Sequence, residues 1–476
     1  MSTFANTVGM TPSGPLLVTV TSPGSYQLMR YLAMRLKQCG RRSALLYIGG
    51  EDERFRRIAE DAHRLGIDSI AFGAYVGRCR DGYRLSINPL RRAAFHVAGL
   101  MSKKPLSFRA FMRHLSIELA AARDLIGQYK PSALIVAENG ISGPLTLLSQ
   151  AYHEGVVCVT VPYGNGRTVD LEIDQDRKRA AGEQIIPTGI DRIFLKLLAA
   201  NWIKCGPHEG ATMFEPAYIF ALESLGLTLN KPWICHGGPS HIMCAENVVG
   251  YKQYIDEGMD PVRVKLTGSP YCDEMVEALA CNEQASSAFL KPRFIDPTRP
   301  RILVSWPPDY HSTHVDKSEF PTYAEMTDTY FSLFKSLEYC DVTFSMHPDA
   351  GEAGASAVER NGIQPTCEHL VGLFPLHDIF VTFFSSATRW AIAAGKPVLN
   401  INLYDQNIRN YEHLPGVVHA RSFSEFSTEI RKMVTDPSYY SQLATHQIQA
   451  ASEYGILDGE CVSRIIQEID ANCSKA

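Results

Sequence analysis

Residues 341–402 constrain this chain more than any other stretch, because they read as three short apolar strands with a helix between the second and third. The apolar run 342–346 ends at His347 and Pro348, and the run 379–384 ends at Ser385 and Ser386. Residues 387–394 have helix-forming composition, Gly395 stands where a helix C-cap belongs, and 397–400 opens the third strand. Strand, hydroxyl pair, helix, glycine and strand make a βαβ unit of a parallel sheet. Such sheets bind ligands beyond the carboxyl ends of their strands, and here those ends carry His347, Ser385 and Ser386. A hydroxyl at a helix N-cap, beside free backbone N–H groups, suits an anionic phosphate. A histidine on the neighbouring strand end can neutralise or protonate the same group. A plain structural reading stands beside this one: serine before a helix commonly only caps it, and His-Pro commonly only ends a strand.

The same alternation of strand and helix runs through the rest of the chain. Leu16–Val20 reads as a strand, followed by a turn with Ser22, Gly24 and Ser25, a helix at 26–38 and a strand at 43–48. That turn lets a ligand approach the backbone, yet it is neither GxGxxG nor a P-loop, and a simple strand-to-helix connection fits it equally. A strand at 133–137 ends in Glu138, Asn139 and Gly140. A carboxylate on a tight turn at a strand's carboxyl end makes Glu138 the candidate general base, with a helix cap as the competing role. The strand 156–161 closes on a flexible turn that holds Tyr163, also expected on the ligand side. Residues 168–179 read as exposed helix or loop, 190–204 as an amphipathic helix, and 233–239 as a strand running into a glycine turn. A strand at 262–266 closes on Gly268, and one at 301–305 runs into Pro307 and Asp309, followed by a polar loop at 311–320.

At 476 residues the chain is expected to hold two domains. The expected division is a disordered leader at 1–15, an N-terminal α/β domain at 16–285, a proline-bearing linker at 286–300 and a C-terminal α/β domain at 301–476. A 45% hydrophobic and 20% charged composition is that of a soluble globular protein, and a net charge of -5 argues against a general nucleic-acid binder. The twelve cysteines form no CxxC pair, so neither a zinc ribbon nor a redox pair is expected, and a reducing compartment is. His208 and Glu209 lack the second histidine of HExxH, and no DxD stands at a strand end, so neither a metal nor a cofactor is expected. The N-terminus has no signal-peptide pattern and no apolar run reaches the ~18 residues of a membrane span, which points to the cytoplasm. Residues 78–113 are strongly basic: Arg78, Arg80, Arg84, Arg91, Arg92, Lys103, Lys104, Arg109 and Arg113 face only Asp81, with Phe95, Leu100, Leu106, Phe108 and Phe111 interleaved. The block reads either as a peripheral contact with an anionic membrane or acceptor, or as a solvated helical face over core aromatics.

Two α/β domains, the second carrying His347-Pro348 and then Ser385 and Ser386, resemble GT-B glycosyltransferases of bacterial surface polysaccharide synthesis. Residues 250–275 are similar to the end of the first domain in that superfamily, and 301–311 to the first strand of the second. Bacterial GT-B sialyltransferases carry an acidic-acidic-Gly motif, then His-Pro, then a serine pair. Glu138, Asn139 and Gly140 stand at the first of these with the second carboxylate replaced, and the other two match unchanged. Kdo transferases and the glycerophosphotransferases of teichoic acid synthesis share the His-Pro and Ser-Ser features. The resemblance implies two Rossmann-like domains facing a cleft, with the acceptor on the first and the nucleotide-sugar donor on the second. It implies metal-independent, inverting transfer from a CMP-linked, sialic acid-like or Kdo-like donor to a glycan or glycolipid. Glu138 would be the base and His347 the acid or charge partner. Ser385, Ser386, Pro348, Gly268, Pro307 and Asp309 would lie on the donor side, and Ser22, Gly24, Ser25, Asn139, Gly140 and Tyr163 on acceptor-side or other ligand-side loops. A nucleotide-sugar 2-epimerase of the same fold is the alternative, although its His-Arg-Arg-Glu-Asn type motif is absent; a non-catalytic member of an assembly complex is another.

Overall fold

The strand that starts each sheet ends up inside it, with later strands added on both sides. The computed structural model describes residues 14–164, 166–229, 231–311, 317–347, 349–383, 385–404 and 411–473. Seven strands form the first sheet: β1 (Leu16–Val20), β2 (Ser43–Tyr47), β3 (Asp68–Ala71), β4 (Ala133–Val136), β5 (Val157–Thr160), β6 (Ile242–Ala245) and β7 (Val264–Leu266). Their order is β3-β2-β1-β4-β5-β6-β7. β1 pairs in parallel with β2 from Leu16 opposite Ser43, and with β4 from Leu16 opposite Ala133. All five residues of β1 and all four of β4 are buried, as a strand covered on both faces requires. β3 was not legible in the sequence, because Asp68–Ala71 opens on two polar residues and forms no apolar run.

The second sheet has five strands: β8 (Arg301–Trp306), β9 (Asp341–Met346), β10 (Ile379–Thr382), β11 (Val398–Ile401) and β12 (Val417–Ala420). Their order is β12-β11-β10-β8-β9. The three strands expected in 341–402 are all present, but β9 and β10 are not neighbours. β8 separates them, pairing with β9 from Arg301 opposite Asp341 and with β10 from Ile302 opposite Ile379. The fold class is therefore two parallel α/β sheets with helical crossovers, as expected.

Internal packing divides the chain into two units. One comprises the chain up to Ala245, Gly250–Lys265 and Ser463 onward; the other comprises Glu246–Val249 and Leu266–Val462. Residues 1–13 of the expected leader lie outside the described residues, while Gly14 and Pro15 are already held by Ser132, whose hydroxyl and N–H donate to their carbonyls. The expected linker, 286–300, lies within the second unit: Ala288, Phe294 and Ile295 are buried, and the Ile295 N–H donates to Asp378 at 2.8 Å. The chain from Ser463 on belongs to the first unit, where Asp470 pairs with Arg41. Residues 233–239 form turns rather than the expected strand. A Cβ on Gly237 would lie 2.2 Å from the Lys231 carbonyl oxygen, a backbone approach no extended ladder accommodates. Among the described residues no helix is long and apolar enough to cross a membrane.

The second unit carries a built-in acid limit. His377 is buried beside β10, with Nδ1 2.8 Å from the Leu373 carbonyl and Nε2 2.9 Å from the Thr343 hydroxyl. Nδ1–H donates to the carbonyl and the threonine hydroxyl can donate to Nε2, so both contacts are satisfied by the neutral ring. Burial pushes this imidazole from 6.5 down to about 4. Between those values the unfolded chain holds the extra proton, so stability is full above pH 6.5 and falls as pH drops towards 4. The expected loss over that window is roughly 3 kcal/mol. Urea melts of wild type and His377→Gln from neutral pH into this range should show a shallower acid slope in the variant. The slope should not vanish, because burial pushes His236 of the first unit down to about 4 as well.

Candidate functional site

In the first sheet the strand order turns round between β1 and β4, and ligands of open α/β sheets bind beyond the carboxyl ends at such a point. The loops leaving β1, β4 and β5 meet there. The Tyr163 hydroxyl, after β5, donates to Glu138 Oε1, after β4, at 3.4 Å. The Ser22 hydroxyl, after β1, bonds the same phenol. Gly24 is exposed, and a Cβ there would lie 2.9 Å from the Tyr163 ring, so only glycine leaves that ring its place. Burial raises the half-buried Glu138 carboxyl above the usual carboxylate range, with the Tyr163 bond opposing. A carboxylate with raised basicity at a strand's carboxyl end is what a general base needs.

Four acceptor-side expectations find structural work instead. Ser22 and Ser25 form a reciprocal capping box on the helix Pro23–Gln38: the Ser25 N–H donates to Ser22 Oγ at 3.2 Å, and the Ser22 N–H to Ser25 Oγ at 3.1 Å. Ser25 is fully buried, so it meets no ligand. Asn139 is also buried; it donates through Nδ2 to the His236 carbonyl and accepts through Oδ1 from the Ser240 N–H. Gly140 has φ +144 and lies under the Cys235 carbonyl. The residue that replaces the second carboxylate is thus a clamp on the 236–240 loop.

A cavity of about 440 Å³ opens at the carboxyl ends of β2, β3 and β4, lined by Gly49, Gly50, Gly73 and Gly143 with Glu118 and Tyr218. The four glycines let a ligand approach the backbone between apolar walls that include Ile48, Leu115 and Phe214, and Glu118, which sequence reasoning missed, is a carboxylate facing it. Thr146 Oγ1 donates to Glu118 Oε2 at 3.1 Å. A larger cavity, about 740 Å³, lies by the amino end of β6. Its Arg263 and Lys231 donate to the carbonyls of Gly238, Ser240 and Gly258, so these cations hold loops together. The smaller cavity is the better candidate, because it sits on the edge where parallel sheets bind ligands.

In the second sheet the order turns round between β8 and β10. Asp309 follows β8, His347 follows β9, and Ser385 and Ser386 follow β10. His347 lies two strand positions from the serines rather than one, with the β8 loop between, a backbone spacing of about 10 Å. Its side chain is 43% exposed. The Asp349 N–H donates to His347 Nδ1 at 3.1 Å, so the neutral ring carries its proton on Nε2. Burial lowers its pKa below the ordinary value, with Asp349 opposing; in the free protein this is not the imidazolium expected beside a phosphate. Pro348 lies outside the described residues.

The serine pair divides its labour. Ser385 Oγ accepts from the Ala387 N–H at 3.1 Å and its carbonyl accepts from the Thr388 hydroxyl at 2.8 Å, so Ser385 shapes the turn. Ser386 is exposed. The following helix is short, Thr388–Ala393, and its N-cap is Ala387, not a serine. Pro307 offers its carbonyl to Tyr323, and Asp309 Oδ1 accepts from the His311 N–H at 2.8 Å. Gly268 is buried, with φ +79, in the turn leading to the helix Pro270–Ala280 that Ser269 caps.

In the second unit the residues missed in the sequence are Arg389 and Glu246. Arg389, 2% exposed, sets Nε 3.1 Å from Glu246 Oε1, donates from Nη1 to the Ser386 carbonyl at 2.7 Å, and lies over the Trp390 ring at 4.4 Å. A buried ion pair thus fixes the peptide that carries the exposed serine. The signal was present: Arg389 is the one charge between Asp378 and Lys396, and a charge in so apolar a run requires a partner.

The Asn139 clamp gives a direct test of the replaced carboxylate. Asn139→Asp removes the donor to the His236 carbonyl and sets a carboxylate against it, which should cost about 1–3 kcal/mol. Urea unfolding should show a lower midpoint with an unchanged slope.

No protein-family model matches the chain, and no curated protein matches it by sequence. Solved structures do match. A UDP-GlcNAc 2-epimerase from Neisseria meningitidis, bound to UDP-GlcNAc, is 12% identical with a TM-score of 0.51, covering 96% of this chain and 99% of that one. MnaA of S. aureus, in a co-structure with UDP, is 11% identical with a TM-score of 0.51, covering 97% and 98%. A variant of the wall teichoic acid polymerase TagF is 12% identical with a TM-score of 0.51, covering 97% and 89%. At such identities the likeness is one of fold: two parallel-sheet α/β units of GT-B-like architecture.

Proposed function

We propose that this protein is a metal-independent, inverting glycosyltransferase that takes a nucleotide-activated sugar, CMP-linked and sialic acid-like or Kdo-like, to build a surface glycan. The observation that carries the reading is Glu138: a carboxyl raised by burial, set at the turning point of the first sheet. In the reaction Glu138 takes the proton of an acceptor hydroxyl while that oxygen bonds the anomeric carbon from the face opposite the nucleotide. The bond to the nucleotide phosphate breaks as this one forms, so configuration inverts. The departing phosphate carries away the electron pair, and the Nε2–H of His347 and the hydroxyl of Ser386 meet its charge. Ser385, through the turn it shapes, and the Arg389–Glu246 pair position Ser386. The basic block at 78–113 is proposed to meet an anionic membrane at the cytoplasmic face, where a glycan or glycolipid acceptor is presented.

A nucleotide-sugar 2-epimerase is the second reading, favoured by the fold likeness to such enzymes. A panel of CMP-, UDP- and CDP-sugars separates the two. A transferase releases nucleotide only when an acceptor glycan is present. An epimerase exchanges the hydrogen at the sugar's C2 with solvent deuterium in the absence of acceptor, and that result would overturn the transferase reading. A silent member of an assembly complex does neither.

Glu138→Gln should keep donor binding and cut turnover by about 10²–10⁴-fold, the range of general base catalysis. Calorimetry with CMP beside initial rates checks both halves; a variant with near-normal turnover removes Glu138 from this role. For His347, NMR titration of the free protein should give a pKa below 6.5. A bound phosphate favours the imidazolium and raises that pKa. Nucleotide affinity should therefore increase as pH falls through the interval between the bound and free values, and His347→Ala should flatten the profile. A flat wild-type profile would leave His347 as a strand terminator.

A further inference from the structure

We propose that an apolar groove in the first unit holds the hydrocarbon chain of a membrane amphiphile, while the surrounding rim sits on an anionic bilayer. This deepens the membrane contact proposed for the basic block and does not depend on the transfer chemistry. The groove has a volume of about 540 Å³ and is walled by Phe111, Ile185, Ile186, Pro187, Met213 and Phe214. Its charged margin is already satisfied: Lys103 Nζ lies 2.5 Å from Thr188 Oγ1, and Lys104 pairs with Glu215 at 2.8 Å. What is left open is apolar, and Ile186 is 52% exposed at its mouth. Phe214 and Tyr218 line both this groove and the cavity at the carboxyl edge of the sheet.

The rim gives the second, independent observation. Leu106 and Met101, which flank the groove-lining Lys103 and Lys104 in the chain, and Ile193 and Leu197, which follow the groove-lining Asp191, are exposed by 77%, 54%, 57% and 74%. Ile193 and Leu197 stand one turn apart on the helix Ile190–Leu198, and Asp191 of that helix accepts from the Lys103 N–H at 3.1 Å. That bond ties the helix to the segment carrying Met101 and Leu106. Exposed Arg109, Arg192 and Lys196 are interspersed among these side chains. Aliphatic side chains in water with cations between them match the boundary of an anionic bilayer. A protein partner would instead meet a centre rich in aromatics and poor in charge.

Two measurements on the full chain test this. In calorimetric titration below the micellar concentration, dodecyl phosphate should bind at least about tenfold more tightly than inorganic phosphate, and Ile186→Asp should abolish that advantage by placing a charge in the groove. In flotation with phosphatidylcholine vesicles containing phosphatidylglycerol, Ile193→Asp with Leu197→Asp should lower the bound fraction about fivefold. That double variant should leave dodecyl phosphate binding unchanged. All three positions are half exposed or more, so the variants should melt as wild type does. Equal affinity for the two phosphates, or undiminished chain binding in Ile186→Asp, overturns the groove. Flotation as strong on phosphatidylcholine alone, or a dimer that the double substitution breaks without any vesicle binding, overturns the bilayer assignment.

Discussion

Parallel pairing is the constraint on which the rest of this structure depends. A parallel partner cannot be reached by a tight turn, so each strand must be followed by a crossover that returns the chain to the same edge. Every strand then ends on one side of its sheet, and every loop after a strand opens on that side. β1 and β8 each acquire neighbours on both flanks, so each sheet contains one point where successive crossovers diverge. The groups with chemical potential, Glu138 with Tyr163 in one unit and Asp309, His347 and Ser386 in the other, are delivered to these edges by topology before any side chain contributes.

Polar groups inside the two units show how those loops are held still. Asn139 uses both ends of its amide on the 236–240 loop, and Arg389 with Glu246 fixes the Ser386 peptide. Breaking either leaves a buried group unsatisfied, and such losses are larger than the net gain of making the bonds. The arrangement therefore secures geometry more than it adds stability. Ser386 itself remains in solvent, free to meet a ligand.

The two candidate chemical groups are tuned in opposite senses by the same cause. Burial disfavours charge, which raises the carboxyl of Glu138 and lowers the imidazole of His347. A more basic carboxylate is a better proton acceptor. A neutral imidazole with its proton on Nε2 can donate a hydrogen bond without the cost of a buried charge.

The sequence by itself determined the local elements. β1, β4 and the helices around them follow from apolar runs broken by glycine, proline and capping serines, and the parallel α/β class follows from their alternation. It also marked Glu138, His347 and Ser386 as strand-end groups, because position relative to a strand is a local property. Only the tertiary structure decided what lies beside what. β8 enters between β9 and β10, which moves His347 one strand further from the serines than their order in the chain suggests. Ser25 and Asn139 turned from ligand-side candidates into a cap and a clamp, because a short polar side chain after a strand serves a backbone or a ligand equally well until its neighbours are placed. Arg389 and Glu246 stand 143 positions apart, and the apolar groove draws its walls from segments around residues 111, 186 and 214. Contacts across such separations are set by the packing of crossovers on the sheet, and no local pattern encodes them.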